Sequence, residues 1–356
     1  MTLAGAPRRL PGGPPGSRLL EVAAVFLKLT NLIPGPNSTE MAIHLGYQRA
    51  GWPGLVVGGA CFVVPAMLIV LVCAWLYGRW GATPQASWLL YGVKPVIIAV
   101  VVQAVWSLFR AAAKGPLLVA VGASVVTLHM LGAGEIVLLL GAGALVVLLR
   151  AGRRLSGAIV LCATATAPAA SLAQVSVAAG SAALGTLFLV FLKIGAVLYG
   201  SGYVLLAFLR SDFVNRLGWL TDRQLLDAVA VGQFTPGPVL TTATFVGYLV
   251  GGAAGALLAT LAIFLPSFVS VALSGPLLPR VRGSRWSGAF LDGVNVASLG
   301  LMAAVTWELG RAALVDGLTV ALAVGAAVLL VWLRINSAWL VLAGAAIGGA
   351  STLLGR

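Results

Sequence analysis

Three of the four lysines in this sequence, Lys28, Lys94 and Lys193, lie within apolar stretches. A charged side chain at the centre of a bilayer costs about 3 kcal/mol or more, so such a residue is a functional candidate by default. The alternative is that each amine reaches the membrane interface along its flexible stem. Because a lysine inside an apolar protein attracts anions, these residues indicate a protein that handles anions.

Two Pro-Gly-Pro sequences, at 34–36 and 236–238, are a second chemical feature. Proline removes a backbone donor and disfavours helix at the residue before it, so each motif predicts a broken helix. The helix that resumes has unpaired N–H groups and roughly half a positive charge at its N-terminus, which together favour an anion. The alternative is a simple kink whose hydroxyls cap the helix. The polar side chains after the two breaks are Asn37, Ser38, Thr39, Thr241 and Thr242.

The composition is that of a membrane protein. Hydrophobic residues make up 60% of the 356 and charged residues 9%, whereas a soluble domain has about 25% charged residues. Apolar runs such as 55–77 and 257–278 reach the length of about 20 residues that a helix needs to span a bilayer. No run alternates as barrel strands do, so we predict an all-α polytopic membrane protein.

The net charge of +13 does not indicate nucleic-acid binding. The basic residues cluster at the ends of apolar runs, which is the positive-inside pattern of membrane proteins. It predicts a multi-pass protein of the bacterial inner membrane with a cytoplasmic N-terminus. The sequence has no catalytic or nucleotide motif, and its three cysteines have no metal spacing, so we predict neither an enzyme nor a cofactor. The basic clusters are Arg8, Arg9 and Arg18; Arg150, Arg153 and Arg154; and Arg280, Arg282 and Arg285.

The chain contains an internal repeat. From the Gly-Tyr at 46–47 to the Arg-Ala-Ala at 110–112, the first half matches the second at a constant offset of 201 residues. Lys28 matches Lys193 at an offset of only 165, so the first half lacks about 37 residues that the second half has at roughly 194–231. A deletion from the first half is the simpler explanation, and an insertion in the second is the alternative. At the position of Lys94 the second half has Asn295.

The basic clusters lie on one side of the membrane if the two Pro-Gly-Pro segments, at about 20–50 and 224–250, are re-entrant hairpins. This arrangement predicts two homologous halves in an inverted repeat, with an external C-terminus. We divide the chain into a disordered basic tail (1–20), a shortened first repeat (21–150), a linker (151–182) and a second repeat (183–356). Nine full crossings are predicted, near 54–77, 86–112, 116–131, 134–149, 183–208, 254–277, 286–312, 314–332 and 336–354.

The segments Thr30–Tyr47 and Gly232–Tyr248 resemble the first-half and second-half signatures of the chromate ion transporter family. The resemblance implies gradient-driven export of chromate from the cytoplasm, with sulfate or another oxyanion as the alternative substrate. A transport-inactive paralogue is a further alternative, because members usually have a Gly-rich stretch where this chain has its gap. The expected partners are a small oxyanion, the lipid bilayer and a possible second copy in a homodimer. Candidate oxyanion-binding residues are Lys28, Pro34, Gly35, Pro36, Asn37, Ser38, Thr39, Lys193, Gln233, Pro236, Gly237, Pro238, Thr241 and Thr242.

Overall fold

The computed structural model describes residues 38–81, 83–112, 115–151, 181–198, 202–282, 285–333 and 335–353. Lys28 and the first Pro-Gly-Pro with Asn37 lie outside this part of the chain. The described residues form helices and connecting turns, without a strand among them, as the sequence predicts. The α-helices are α1 (Ser38–Trp80), α2 (Pro84–Ala112), α3 (Pro116–Met130), α4 (Glu135–Ala151), α5 (Ser181–Val197), α6 (Leu205–Leu209), α7 (Asp222–Phe234), α8 (Thr242–Arg282), α9 (Arg285–Ala313), α10 (Gly317–Trp332) and α11 (Ser337–Leu353).

Four helices of the first half, α1 to α4, recur in the same order in the second half as α8 to α11. Helices α2 and α9 begin and end at positions that differ by 201 residues, the offset found in the sequence. Helices α3 and α4 reappear as α10 and α11 at the same offset to within one residue. A 3₁₀ turn (Gly202–Val204), α6 and a π-helical segment (Arg210–Arg216) precede α7. These elements and most of α7 correspond to the stretch that the first half lacks.

Helices α1 and α8 each bend sharply at equivalent positions. Gly51 has φ 65° and ψ −144°, and Gly252 has φ 59° and ψ −151°. This left-handed conformation favours glycine, which has no Cβ to clash. A Cβ on Gly46 would overlap the carbonyl of Gly54, although eight residues of straight helix span about 12 Å. Each helix is therefore a helical hairpin, with its bend at the predicted boundary between the Pro-Gly-Pro segment and the following crossing.

Two helices of each half pack against one helix of the other half. Helices α3 and α4 contact α9 of the second half, and α10 and α11 contact α2 of the first. Glycines permit both contacts: Gly92 lies against Gly344, and its equivalent Gly293 lies against Gly143, the equivalent of Gly344. Small residues let membrane helices approach closely, which increases dispersion contacts. Equivalent positions thus make equivalent contacts in the two halves.

Equivalent helices run antiparallel where they meet. Gly59 of α1 lies against Phe268 of α8, and Leu55, earlier in α1, clusters with Val271, later in α8. An inverted repeat requires antiparallel equivalents, so these contacts agree with the predicted arrangement. The orientation of the halves relative to a membrane stays a prediction.

Fewer helices have full spanning length than the nine crossings require. Four described helical stretches are long and apolar enough to cross a membrane: Thr39–Trp80, Trp88–Arg110, Val239–Leu273 and Trp286–Ala313. The stretches Pro116–Met130, Ala183–Val197, Gly317–Trp332 and Ser337–Ser351 are apolar but shorter. The crossing predicted near 183–208 is not one continuous helix, because α5 ends at Val197 and Leu198 is not helical. The sequence Gly200-Ser201-Gly202 explains this end, since glycine is a poor helix former.

Candidate functional site

The second Pro-Gly-Pro interrupts the chain between α7 and α8. Helix α7 ends at Phe234, Thr235 is extended, and a 3₁₀ turn (Val239–Thr241) leads into α8. Gly237 has φ 143°, a conformation that other residues rarely adopt. A Cβ there would also overlap the methyl group of Ala66 in α1. Glycine is thus required both by the backbone and by the packing of the loop against the first half.

The threonines after this break use their hydroxyls on the local backbone. Thr241 donates to the Pro238 carbonyl at 2.8 Å, and Thr242 donates to the Val239 carbonyl at 2.8 Å. Both side chains are buried. A capping hydroxyl would accept from a backbone N–H, so these bonds are not the capping that the sequence left open as an alternative. An anion could use the hydroxyls as donors only after they turned from the carbonyls. In the first half, Thr39 is also buried, near the N-terminus of α1.

Lys193, predicted to support the anion site, contacts a carboxylate. Its Nζ lies 2.5 Å from Asp212 in the π-helical segment, and Arg216 lies 3.0 Å from the same carboxylate. Two cations share one anion, so the cluster keeps one positive charge. About a third of the Lys193 side chain is exposed. Gln233 is partly buried in the last turn of α7, and Pro236 is exposed while Pro238 is buried.

Among the described residues, the most buried ion pair is that of Lys94 and Asp227. Lys94 Nζ in α2 lies 3.0 Å from Oδ1 of Asp227 in α7, with the two side chains 11% and 2% exposed. The Tyr77 hydroxyl in α1 donates to the other carboxylate oxygen at 2.8 Å. One carboxylate thereby joins two first-half helices to the helix before the second Pro-Gly-Pro. A buried pair of this kind survives only with close geometry and further hydrogen bonds, and the tyrosine supplies one.

A polar cavity of about 150 Å³ opens beside this pair. Its charged lining residues are Lys94, Arg223 and Asp227, so its net charge is positive. The hydroxyls of Tyr77 and Tyr91 add donors for an oxyanion, although the Tyr91 hydroxyl is hydrogen-bonded to Asp316. The remaining lining residues are Gly81, Leu90, Leu226, Ala312, Ala313 and Val315.

Two further ion pairs involve acidic residues of α9. Glu308 contacts Arg210, which also lies 2.8 Å from Asp222. Asp292 lies 2.7 Å from Arg150. These pairs connect α9 to the π-helical segment and to α4, so in this conformation both carboxylates have structural partners.

The two halves differ in sequence at the positions that form this ion pair. Asn295, the repeat equivalent of Lys94, is neutral, and the sequence of the first half has no equivalent of α7 to bring a second Asp227. A second copy of the pair would therefore lack both its carboxylate and its lysine. An unpaired lysine at position 295 would be costly, and the asparagine avoids that cost.

Asp227 and Tyr77 were not among the residues selected from the sequence. A signal for Asp227 was available, because a buried lysine requires a carboxylate and Asp227 is one of only nine acidic residues. It also lies in the otherwise apolar stretch 225–231. Tyr77 carried no such signal, since a tyrosine near the end of a membrane helix is ordinary.

Comparison with known proteins identifies the family. The model of the chromate transporter family matches residues 21–165 and 185–349. The chromate transport protein of Cupriavidus metallidurans is 32% identical over 334 residues, 91% of this chain and 81% of that protein. That of Pseudomonas aeruginosa is 33% identical over 323 residues, 85% of this chain and 75% of the relative. A probable chromate transport protein of Synechococcus elongatus is 32% identical over 301 residues, 82% of this chain and 75% of the relative.

No solved structure matches this chain. The two family matches together cover most of the 356 residues and fall on the two homologous halves. The apolar helices are those of a membrane protein, and the relatives are named as transport proteins rather than enzymes. The chain belongs to the chromate transporter family.

Proposed function

We propose that this protein exports chromate from the bacterial cytoplasm across the inner membrane, driven by an ion gradient or the membrane potential. The observation that carries the proposal is a cationic polar cavity enclosed by helices of a chromate transporter family member. Chromate is a tetrahedral dianion that must exchange its hydration for protein donors and charges. Lys94 and Arg223 supply charge at the cavity, and Tyr77 and Tyr91 carry hydroxyls. Energy from a gradient is favoured because the sequence contains no nucleotide-binding motif.

The two Pro-Gly-Pro segments belong to the same proposed path. Each helix that begins after a break contributes roughly half a positive charge at its N-terminus. Asp227 lies in α7, two turns before Thr235, so the cavity and the second break are about 12 Å apart along one helix. Lys28 and Lys193 add longer-range attraction for an approaching anion. In an inverted repeat the two hairpins would enter the bilayer from opposite sides, and their breaks would meet near its midplane, where secondary transporters bind their substrates.

Expression in a chromate-sensitive bacterium tests this function. Cells that make the protein should contain less chromium after exposure than cells with an empty vector, and Lys94→Gln should remove much of the difference. The membrane abundance of both variants is measured alongside. Equal intracellular chromium at equal abundance of folded protein would contradict the proposal and favour a transport-inactive paralogue. If an excess of sulfate cancelled the protection, the protein would accept other oxyanions besides chromate.

A further inference from the structure

In the Lys94–Asp227 pair, a carboxylate of the protein itself occupies the place that an anionic ligand could take beside Lys94. The carboxylate of Asp227 lies 3.0 Å from the Lys94 amine and accepts the Tyr77 hydroxyl at 2.8 Å. A tetrahedral oxyanion in the adjoining cavity would seek these same two donors. The Tyr77 hydroxyl has one hydrogen and can donate to only one of them, whereas the Lys94 ammonium has three N–H groups and can contact both. A dianion that shares Lys94 with the carboxylate therefore competes with it for the ammonium charge.

The charges of the cavity show what this competition requires. Lys94 and Arg223 contribute two positive charges and Asp227 one negative charge, so the empty cavity has a net charge of +1. A bound dianion changes this to −1, with the carboxylate and the oxyanion repelling each other. Like charges that share a buried site favour protonation of one of them. One proton on Asp227 returns the cavity to neutrality.

Other titratable groups near Asp227 leave this carboxylate as the proton acceptor. Tyr77 faces it from α1, Lys94 and Tyr91 from α2, and Arg223 from one turn earlier in α7. Helix α9 brings only Ala312 and Ala313 to the cavity, and α11, which also contacts α7, has no ionisable residue. Asp316 receives the Tyr91 hydroxyl and also caps α10. The acidic partners of Arg210, Asp222 and Glu308, lie outside the cavity lining.

We propose that Asp227 is a built-in counter-ion, which pairs with Lys94 in the empty protein and takes up one proton from the aqueous phase when an oxyanion dianion displaces it. This inference rests on the proposed function and deepens it. The protonated carboxyl keeps its contact with Tyr77 by accepting through its carbonyl oxygen, while Lys94 turns to the substrate. One proton is thus bound with each dianion, so binding adds one negative charge to the cavity instead of two.

Proton uptake by the purified full-length protein tests the inference directly. Chromate is added to the protein in weakly buffered detergent solution at alkaline pH, where chromate is the dianion, and the pH change is followed with an indicator dye. We expect about one proton per bound chromate, and an affinity that falls about tenfold per pH unit. Binding without proton uptake, with an affinity independent of pH, would overturn the proposal.

Asp227→Asn supplies the matched variant, because its amide oxygen can still accept from Lys94 without carrying charge. It should bind chromate more tightly at alkaline pH, with no proton uptake and no dependence of affinity on pH. Asp222→Asn removes a carboxylate from the same helix outside the cavity, and should keep the proton uptake and pH slope of the wild type. If both variants kept them, Asp227 would not be the acceptor and the proposal would be wrong.

Failure of this inference is distinguishable from failure of the proposed function. A wild-type protein that lowers cellular chromium and binds chromate without taking up protons remains an exporter, and only the counter-ion role is overturned. A folded wild-type protein that does not bind chromate overturns both. The measurement on the wild type does not depend on whether Asp227→Asn folds, so the inference is decided in either case.

Discussion

Replacing Asp227 with leucine leaves Lys94 buried without its counter-ion. The side chains of Lys94 and Asp227 are 11% and 2% exposed, so water cannot readily replace the lost partner. Breaking a buried ion pair by removing one member costs about 3–5 kcal/mol, whereas replacing both members with apolar residues of similar volume is often neutral or stabilising. We therefore expect Asp227→Leu to lower the free energy of unfolding by about 3 kcal/mol or more. The double variant Lys94→Met/Asp227→Leu should recover most of this loss.

Reversible unfolding in mixed micelles measures these differences, provided that the purified proteins are monodisperse. Asp292→Leu is the control, since its partner Arg150 is 41% exposed and the pair is 2.7 Å apart near the surface. It should change the free energy of unfolding by less than about 1 kcal/mol. A loss below about 1 kcal/mol for Asp227→Leu as well, or no recovery in the double variant, would refute the reasoning that the Lys94 pair is buried and mutually dependent.

The remaining predictions concern the loop, the second cluster and the topology. Gly237→Leu should abolish chromate uptake into everted vesicles, because leucine can keep neither the φ of 143° nor the packing of the loop against the first half. Uptake at the wild-type rate would show that the loop is not part of the path. Lys193→Gln should slow uptake by about tenfold and Lys193→Arg by less, with a loss of stability of at most about 1 kcal/mol because the pair with Asp212 is partly exposed. Equal uptake rates for the two variants would show that Lys193 does not act through its positive charge. Reporter fusions at Arg154 and Arg356 should report opposite sides of the membrane, and the same side for both would contradict the inverted repeat.

Much of the fold could be predicted from the sequence because membrane helices are local and repeated. The constant offset of 201 residues relates α2 to α9, and the crossings predicted near 116–131 and 134–149 agree with α3 and α4 to within two residues at each end. The helix break at the second Pro-Gly-Pro follows from proline and glycine chemistry alone. The end of α5 at Val197 was missed because the apolar run continues beyond it. Hydropathy does not register the two glycines that end the helix.

The candidate site was predicted only in part. Lys94 was visible as a charge in an apolar run. Its partner Asp227 is distant in sequence, and Tyr77 is 150 residues away from Asp227. Long-range pairing depends on how α7 packs against α1 and α2, which no local pattern contains. The hydroxyls of Thr241 and Thr242 were predicted as donors to an anion, and in this structure they donate to backbone carbonyls. No sequence pattern distinguishes these two kinds of hydrogen-bond partner.

Chromate uptake into everted membrane vesicles is the most direct test of the central claim, that this family member moves chromate out of the cytoplasm through the site at Lys94. Vesicles with the wild-type protein should accumulate labelled chromate when a gradient is imposed, without ATP, and lose the accumulation when the gradient is collapsed. Vesicles with Lys94→Gln at equal abundance should accumulate about tenfold less. Wild-type vesicles that accumulate no more chromate than vesicles lacking the protein would contradict the account.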